Sequence, residues 1–259
     1  MQELLENSSV HIQEVRRLRK REYRMKTGRV IVEGYTEVSR AVKAGIKVST
    51  LYICPEIFTS DGSEFKGLNT VEVNKYIFSQ MAFGDRLKGI LALCEPRQIL
   101  LSDLLPLKKN PLIVLLEGVE KPGNLGAVLR TCDGAGVDAV IICDGKTDIY
   151  NHNVVRSSIA TVFTVPVVSV SKEEAVSFLK ENRVNIFVAT SQSKHVFTDV
   201  DLTKGSAIVV GNEHTGVSLF WRDLAKEEIR IPMVGEAQCL NAAISASILV
   251  YEAFRQREK

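Results

Sequence analysis

The chain of 259 residues is 45 % apolar and 25 % charged, with a net charge of +2, a balance that suits a soluble protein of one large domain or two modest ones. No apolar run approaches the roughly 20 residues needed to cross a bilayer, and the opening MQELLENSSV lacks the basic-then-apolar pattern of a signal peptide. The five cysteines (Cys54, Cys94, Cys132, Cys143, Cys239) form no CxxC pair, which points to reduced thiols in a cytoplasm rather than a disulfide framework.

In chain order, residues 1–28 read as a leading helix that ends at Gly28. The segments that follow read as a strand at Arg29 to Val32, a helix from Tyr35 to Ala44 and a strand at Val48 to Ile53. A polar loop runs from Thr59 to Gly67. Then come a short strand at Val71 to Val73, a short helix at Lys75 to Met81 and a strand at Gly89 to Cys94. This is a compact α/β unit, taken as residues 1–96. It carries the chain's basic excess: residues 1–100 hold 16 Lys+Arg against 12 Asp+Glu, and residues 101–259 hold 17 against 19. The cluster Arg16, Arg17, Arg19, Lys20, Arg21, Arg24, Lys26 and Arg29 is either a phosphate-binding surface or a solvated helix face. Pro96, Pro106 and Pro111 punctuate a connection over residues 97–111.

The second domain is expected over residues 112–259. Leu112 to Leu116 reads as a buried strand, followed by a turn with Pro122 and Gly123. Asn124 is placed to cap the next helix, whose apolar face is Leu125, Val128 and Leu129. Gly134 and Gly136 end that helix, and Ala139 to Ile142 is the next strand. A polar loop, DIYNHNVVRSS, leads into a helix and a strand near Val165 to Val168. Further elements are a helix at Lys172 to Glu181 and strands at Ile186 to Thr190 and Ala207 to Val210. A short helix near Leu219 to Ala225, the segment Ile229 to Pro232 and a closing helix from Leu240 or Asn241 to about Arg257 complete the chain. The closing helix begins with small residues, Ala242, Ala243, Ser245, Ala246 and Ser247, which suit close packing.

Three loops at strand ends mix Gly, Asn and a charge. The first holds Asn124, Gly126 and Arg130. The second holds Gly211, Asn212 and Glu213. The third runs from Ile231 through Met233 and Cys239 to Leu240 and Asn241. Strand ends on one rim of an open parallel sheet form a ligand site from backbone amides and a few side chains. Singly, each residue has a structural alternative: Asn124 and Asn241 as helix caps, Arg130 as a surface residue, Glu213 as a capping acid. GNLGAVLR is not a dinucleotide fingerprint, and no GxxxxGK[ST] run exists. The four histidines do not pair with cysteines at metal spacings.

Taken together, in this order and spacing, the loops resemble the three signature motifs of the SpoU (TrmH-type) RNA ribose 2′-O-methyltransferases of the SPOUT superfamily. Motif one corresponds to Asn124-Leu125-Gly126 with Arg130, and motif two to the run Ile208 to Glu213. Motif three corresponds to Ile231-Pro232-Met233 and Leu240-Asn241-Ala242. The loop DIYNHNVVRSS matches the intervening segment, with Asn151, Arg156 and Ser158 in corresponding places. RVIVEGYTEVSRAVKAG in the front unit is similar to the ribosomal-protein-like substrate-binding domain that often precedes such a domain.

The resemblance implies an α/β protein with a trefoil-knotted parallel-sheet domain behind a smaller RNA-binding α/β domain. It implies S-adenosylmethionine held by Gly211, Asn212, Ile231, Met233, Leu240 and Ala242, with Thr190 at a strand end. Arg130, Asn124, Glu213 and Asn241 would be the catalytic set. Arg156, Ser158 and Cys239, with Arg16, Arg17 and Arg19, would touch RNA. No metal is required, and the family works as a homodimer with a shared site. The implied substrate is large-subunit ribosomal RNA. Transfer RNA, or an RNA-binding protein of the same fold without activity, is the alternative. Two positions depart from the family pattern: Cys239 stands where Ser is usual, and His214 where Gly is usual.

Overall fold

The structure, a computed structural model, describes residues 2–84, 87–212 and 214–258, with side chains in the first helix from Ser9 onward. The elements in the front part are α1 (Gln2–Leu18), α2 (Arg21–Thr27), β1 (Val30–Glu33), α3 (Tyr35–Lys43), β2 (Lys47–Ile53), β3 (Thr70–Glu72), α4 (Lys75–Met81) and β4 (Ile90–Glu95). Then follow β5 (Leu112–Glu117), α5 (Pro122–Gly134), β6 (Ala139–Cys143), α6 (His152–Ser157), β7 (Val167–Val170), α7 (Lys172–Glu181) and β8 (Asn185–Ala189). The last are β9 (Ser206–Val210), α8 (Leu219–Arg222), β10 (Glu227–Ile229) and α9 (Ala242–Arg257).

The chain divides into two compact units. One comprises the residues up to Arg97 together with Tyr150–Thr164; the other comprises Gln98–Ile149 and Val165 onward. The sequence reading drew contiguous domains instead. Contacts decide the difference. In the front unit Tyr150 donates to the Arg97 carbonyl (3.1 Å) and the His152 ring lies against Phe83, so α6 packs there. The expected linker is anchored in the second unit, where Leu104 is buried in its core and Ile99, Leu101 and Leu107 pack on it.

The front unit is built on a mixed sheet of order β1-β4-β2-β3, with β4 antiparallel to both neighbours and β2 parallel to β3. β4 sits centrally, and its first five residues are fully buried. The leading helix differs from expectation because it is two helices. Lys20 is extended, and the buried Arg24 donates through Nη1 to the carbonyls of Leu18 (2.7 Å) and Arg19 (2.8 Å). Carbonyls left without partners at a helix end are thereby satisfied from within the fold. Gly28, at φ +66°, then closes α2 with its N–H on the Arg24 carbonyl.

The second unit holds an all-parallel sheet of order β10-β8-β9-β5-β6-β7. Every residue of β5 and β9 is buried, as expected of parallel strands covered on both faces. The strand order reverses between β5 and β9. Crevices beyond the carboxyl ends of strands at such a switch point are where open α/β sheets bind ligands. The loops after β5 and β9 meet there.

Candidate active site

The loop after β9 is held at both ends. Asn212 donates through Nδ2 to the Gly118 carbonyl beyond β5 (2.8 Å), and its Oδ1 accepts from the His214 N–H (2.8 Å). At the far end, Ser218 donates its N–H (2.7 Å) and hydroxyl (2.6 Å) to the carboxylate of Glu117, the last residue of β5. Glu117 is itself buried and salt-bridged to Lys172 (2.8 Å), which also reaches Asp144 (2.8 Å). Hydrogen bonds to Asp144 and Glu117 push the Lys172 ammonium up from its usual range. Gly211 permits the tight loop, because a Cβ there would overlap the backbone of Gly216 and Val217.

Beside this loop lies a cleft of about 300 Å³, bounded by the ends of β8, β9 and β10 and by the segment leading into α9. The structure brings together Thr190, Gly211, Asn212, Ile231, Met233, Leu240 and Ala242, the expected cofactor set, and places Cys239 on the same wall. Thr190 is fixed by its N–H on the Ile229 carbonyl (2.9 Å). The lining also includes Gln192, Thr215, Gly216 and Gln238, which carry no motif signal, and Ser245, expected only as a small packing residue. Each neighbours a motif residue or faces it one helical turn on, so their signal was proximity alone. Arg222 lines the cleft with its charge met by Glu228 through two contacts (2.7 and 3.2 Å). The walls are otherwise neutral amides, hydroxyls and apolar side chains apart from His214.

Asn241 caps α9, its Oδ1 accepting from the N–H groups of Ala243 (2.9 Å) and Ile244 (3.4 Å). Its Nδ2 donates to Oδ1 of Asn124 (3.2 Å). Motif three is thus tied to motif one. Asn124 is not the helix cap that the sequence suggested. α5 starts earlier, with Lys121 extended before it and Pro122 in the first turn, where the fixed φ of proline suits a helix start. α5 packs along α9 through Thr131 and Ser247, whose hydroxyls are 2.8 Å apart. Arg130 stands exposed on α5 and is not among the residues lining the cleft. Glu213 lies outside the described residues.

The expected RNA contacts divide. Ser158 is fully buried in the front unit, and its hydroxyl donates to the Val155 carbonyl (3.1 Å), so a direct RNA contact is ruled out by burial. Arg156 is exposed. Arg16 donates to the Gln80 carbonyl (3.2 Å), and Arg19 to those of Met81 (2.9 Å) and Ala82 (2.7 Å), so both fasten α1 to α4. Arg17 is exposed. Among the described residues, no group of three His, Cys, Asp or Glu could hold a metal ion.

Residues 111–251 match the SpoU rRNA Methylase family. The chain belongs to that family. Residues 9–92, the greater part of the front unit, match the MRM3-like substrate binding domain. The SpoU chain is 29 % identical over 243 residues to the 23S rRNA (guanosine(2553)-2'-O)-methyltransferase RlmP of Bacillus subtilis, covering 93 % of itself and 94 % of that protein. It is 31 % identical to the 23S rRNA (uridine(2479)-2'-O)-methyltransferase of Streptomyces viridochromogenes, over 92 % of itself and 86 % of that protein. It superposes on the crystal structure of the SpoU methyltransferase AviRb from Streptomyces viridochromogenes in complex with the cofactor AdoMet at a TM-score of 0.85. That match has 28 % identity and covers 96 % of this chain and 98 % of the other. In SpoU terms, the cleft joins motifs two and three, and the Asn241–Asn124 hydrogen bond brings in motif one.

Proposed function

We propose that this SpoU chain transfers the methyl group of S-adenosylmethionine to a ribose 2′-hydroxyl of 23S ribosomal RNA. The supporting observation is the cleft built from motifs two and three and tied by Asn241 to the helix that carries Arg130. The lining fits the donor. Ile231, Met233, Leu240 and Ala242 offer apolar contact to an adenine and to a thioether chain, and the loop amides around Gly211 offer polar partners. When bound, the donor supplies a methyl group already activated by the sulfonium charge.

This chain's residues supply alignment and charge control. The ribose oxygen forms a bond to the methyl carbon as the carbon–sulfur bond breaks, and the hydroxyl proton leaves to water or a neighbouring base. A guanidinium is a poor base, so proton abstraction is not the part Arg130 plays. Its part is to stabilise the developing alkoxide and an adjacent phosphate. Asn124 and Asn241 orient the RNA beside it, and Glu213 completes the catalytic set that the family motifs imply. Because Arg130 does not line the cleft of its own chain, it would act across a dimer. Ile244 and Tyr251 leave about half their surface exposed on α9 (52 % and 50 %), which supports self-association there. A trefoil knot closed by α9 belongs to the same reading, as does the cytoplasm, to which the free cysteines are suited. Among the described residues, no helix is long and apolar enough to cross a membrane.

The deciding experiment incubates the protein with labelled S-adenosylmethionine and 23S ribosomal RNA lacking its modifications. One ribose 2′-O-methyl group should appear at a single mapped nucleotide. Absence of label in the ribosomal RNA while transfer RNA is methylated would move the substrate; absence from both would end the reading.

A further inference from the structure

A second cavity, of about 240 Å³, lies wholly within the front unit, between β1, α4 and α6. Its chemistry is unlike that of the donor cleft. Glu33 lines it, one carboxylate oxygen accepting from the Phe83 N–H (2.9 Å). Phe83 and His152, with ring centroids 3.9 Å apart and tilted by 54°, form an aromatic wall. Both imidazole nitrogens of His152 are buried with no hydrogen-bond partner among the described residues. Arg19, Lys88 and Arg156 bring positive charge to the rim, and Lys88 is paired to Glu37 (2.7 Å).

Buried polar atoms without partners are costly, and a native fold that keeps them commonly reserves them for a ligand or water. The groups here are a carboxylate acceptor, an imidazole offering one donor and one acceptor, and guanidinium and ammonium donors. Burial holds the Glu33 carboxyl above its usual range, which a ligand donating N–H groups to it would reverse. Burial, with Arg24, Arg19 and Arg156, pushes His152 down to about 4, so its ring is neutral near pH 7 and can both donate and accept. The only common nucleobase with two adjacent N–H donors on one edge and two acceptors on another is guanine. Its first edge matches a carboxylate, and its second matches the donors of arginine, lysine or histidine. The cavity is large enough for one purine.

Resting on the reading above that the substrate is RNA, we propose that this front-unit cavity receives a guanine base of that RNA, read by Glu33 and His152 and held by the surrounding cations. The guanine is a recognition base, not the nucleotide that takes the methyl group.

The test uses the full chain saturated with S-adenosylhomocysteine and measures binding of short uridine oligoribonucleotides carrying one central guanosine, inosine or adenosine. Guanosine should bind best. Inosine, which lacks the exocyclic amine, should lose about tenfold, as one good base contact is worth. Glu33→Gln keeps an acceptor for the Phe83 N–H, and His152→Phe keeps the aromatic wall; each should erase the preference for guanosine while S-adenosylhomocysteine still binds. Equal affinity for the three oligonucleotides, or a guanosine preference that survives both substitutions, overturns the guanine assignment. Inorganic phosphate competing as well as guanosine monophosphate also overturns it, leaving a phosphate site. Failure of S-adenosylhomocysteine to bind at all would instead count against the methyltransferase reading.

Discussion

At the scale of single residues, Arg130 separates two roles that a cleft residue would confound. It is exposed and does not line the donor cleft, so Arg130→Ala should leave donor affinity within about twofold while lowering kcat by about 100-fold or more, the loss expected when one preorganised charge donor is removed. Calorimetry and methyl incorporation measured on the same preparation check this. A variant that keeps the wild-type rate would remove Arg130 from the mechanism. A second residue-scale prediction concerns acid stability. His152 titrates near 6.5 in the unfolded chain and about 4 when folded. Between those values the unfolded chain binds a proton that the folded chain refuses, so stability falls as pH drops through that window. The loss should be on the order of 2 kcal/mol for this half-buried ring. Denaturant unfolding at pH 7 and pH 4.5 should show a smaller drop for His152→Phe than for the wild type. Equal drops would show that another group governs the acid limb.

At the scale of elements, α9 carries both a cap and a packing face. Ala246 is fully buried on the helix that packs against α5. Ala246→Leu should overpack the buried face of α9 and cost about 1–3 kcal/mol. Because α5 and α9 carry the two linked asparagines, donor binding should weaken in the same variant. Thermal unfolding together with calorimetry checks this, and an unchanged midpoint with unchanged binding would show that the helices part freely. Elements of this kind were legible in sequence to differing degrees. β5 and β9 could be read because a strand buried on both faces is a continuous apolar run. The division of the leading helix could not. It depends on Arg24 reaching back to the carbonyls of Leu18 and Arg19, and an arginine within a basic run looks like any other surface charge. Asn124 was misplaced as a cap because capping and hydrogen bonding across to a second helix call for the same side chain.

At the scale of the molecule, the order of the motifs places three loops at strand ends; the loops of motifs two and three line the cleft, and motif one joins them through the Asn241–Asn124 hydrogen bond. What linear reading lost was the allocation of Tyr150–Thr164 to the front unit, a matter of tertiary contacts with no local signature. That allocation changes how RNA binding should be tested, because truncating the front of the chain would strip α6 of its packing. Substitution on the surface is cleaner. Arg16, Arg19, Arg24 and Arg29 are engaged in the fold, Arg29 through an ion pair with Glu14 (2.5 Å), whereas Arg17, Lys20, Arg21 and Lys26 are exposed. If this exposed group holds phosphates, replacing all four by Gln should weaken binding to 23S ribosomal RNA and make it less salt-sensitive. Each lost phosphate contact lowers the magnitude of the slope of log K against log salt by roughly 0.7 to 0.9. Donor binding, which belongs to the other unit, should not change. Filter binding across a salt series measures the slope. An unaltered slope would mean that these four charges merely solvate the helices and that the front unit grips RNA elsewhere.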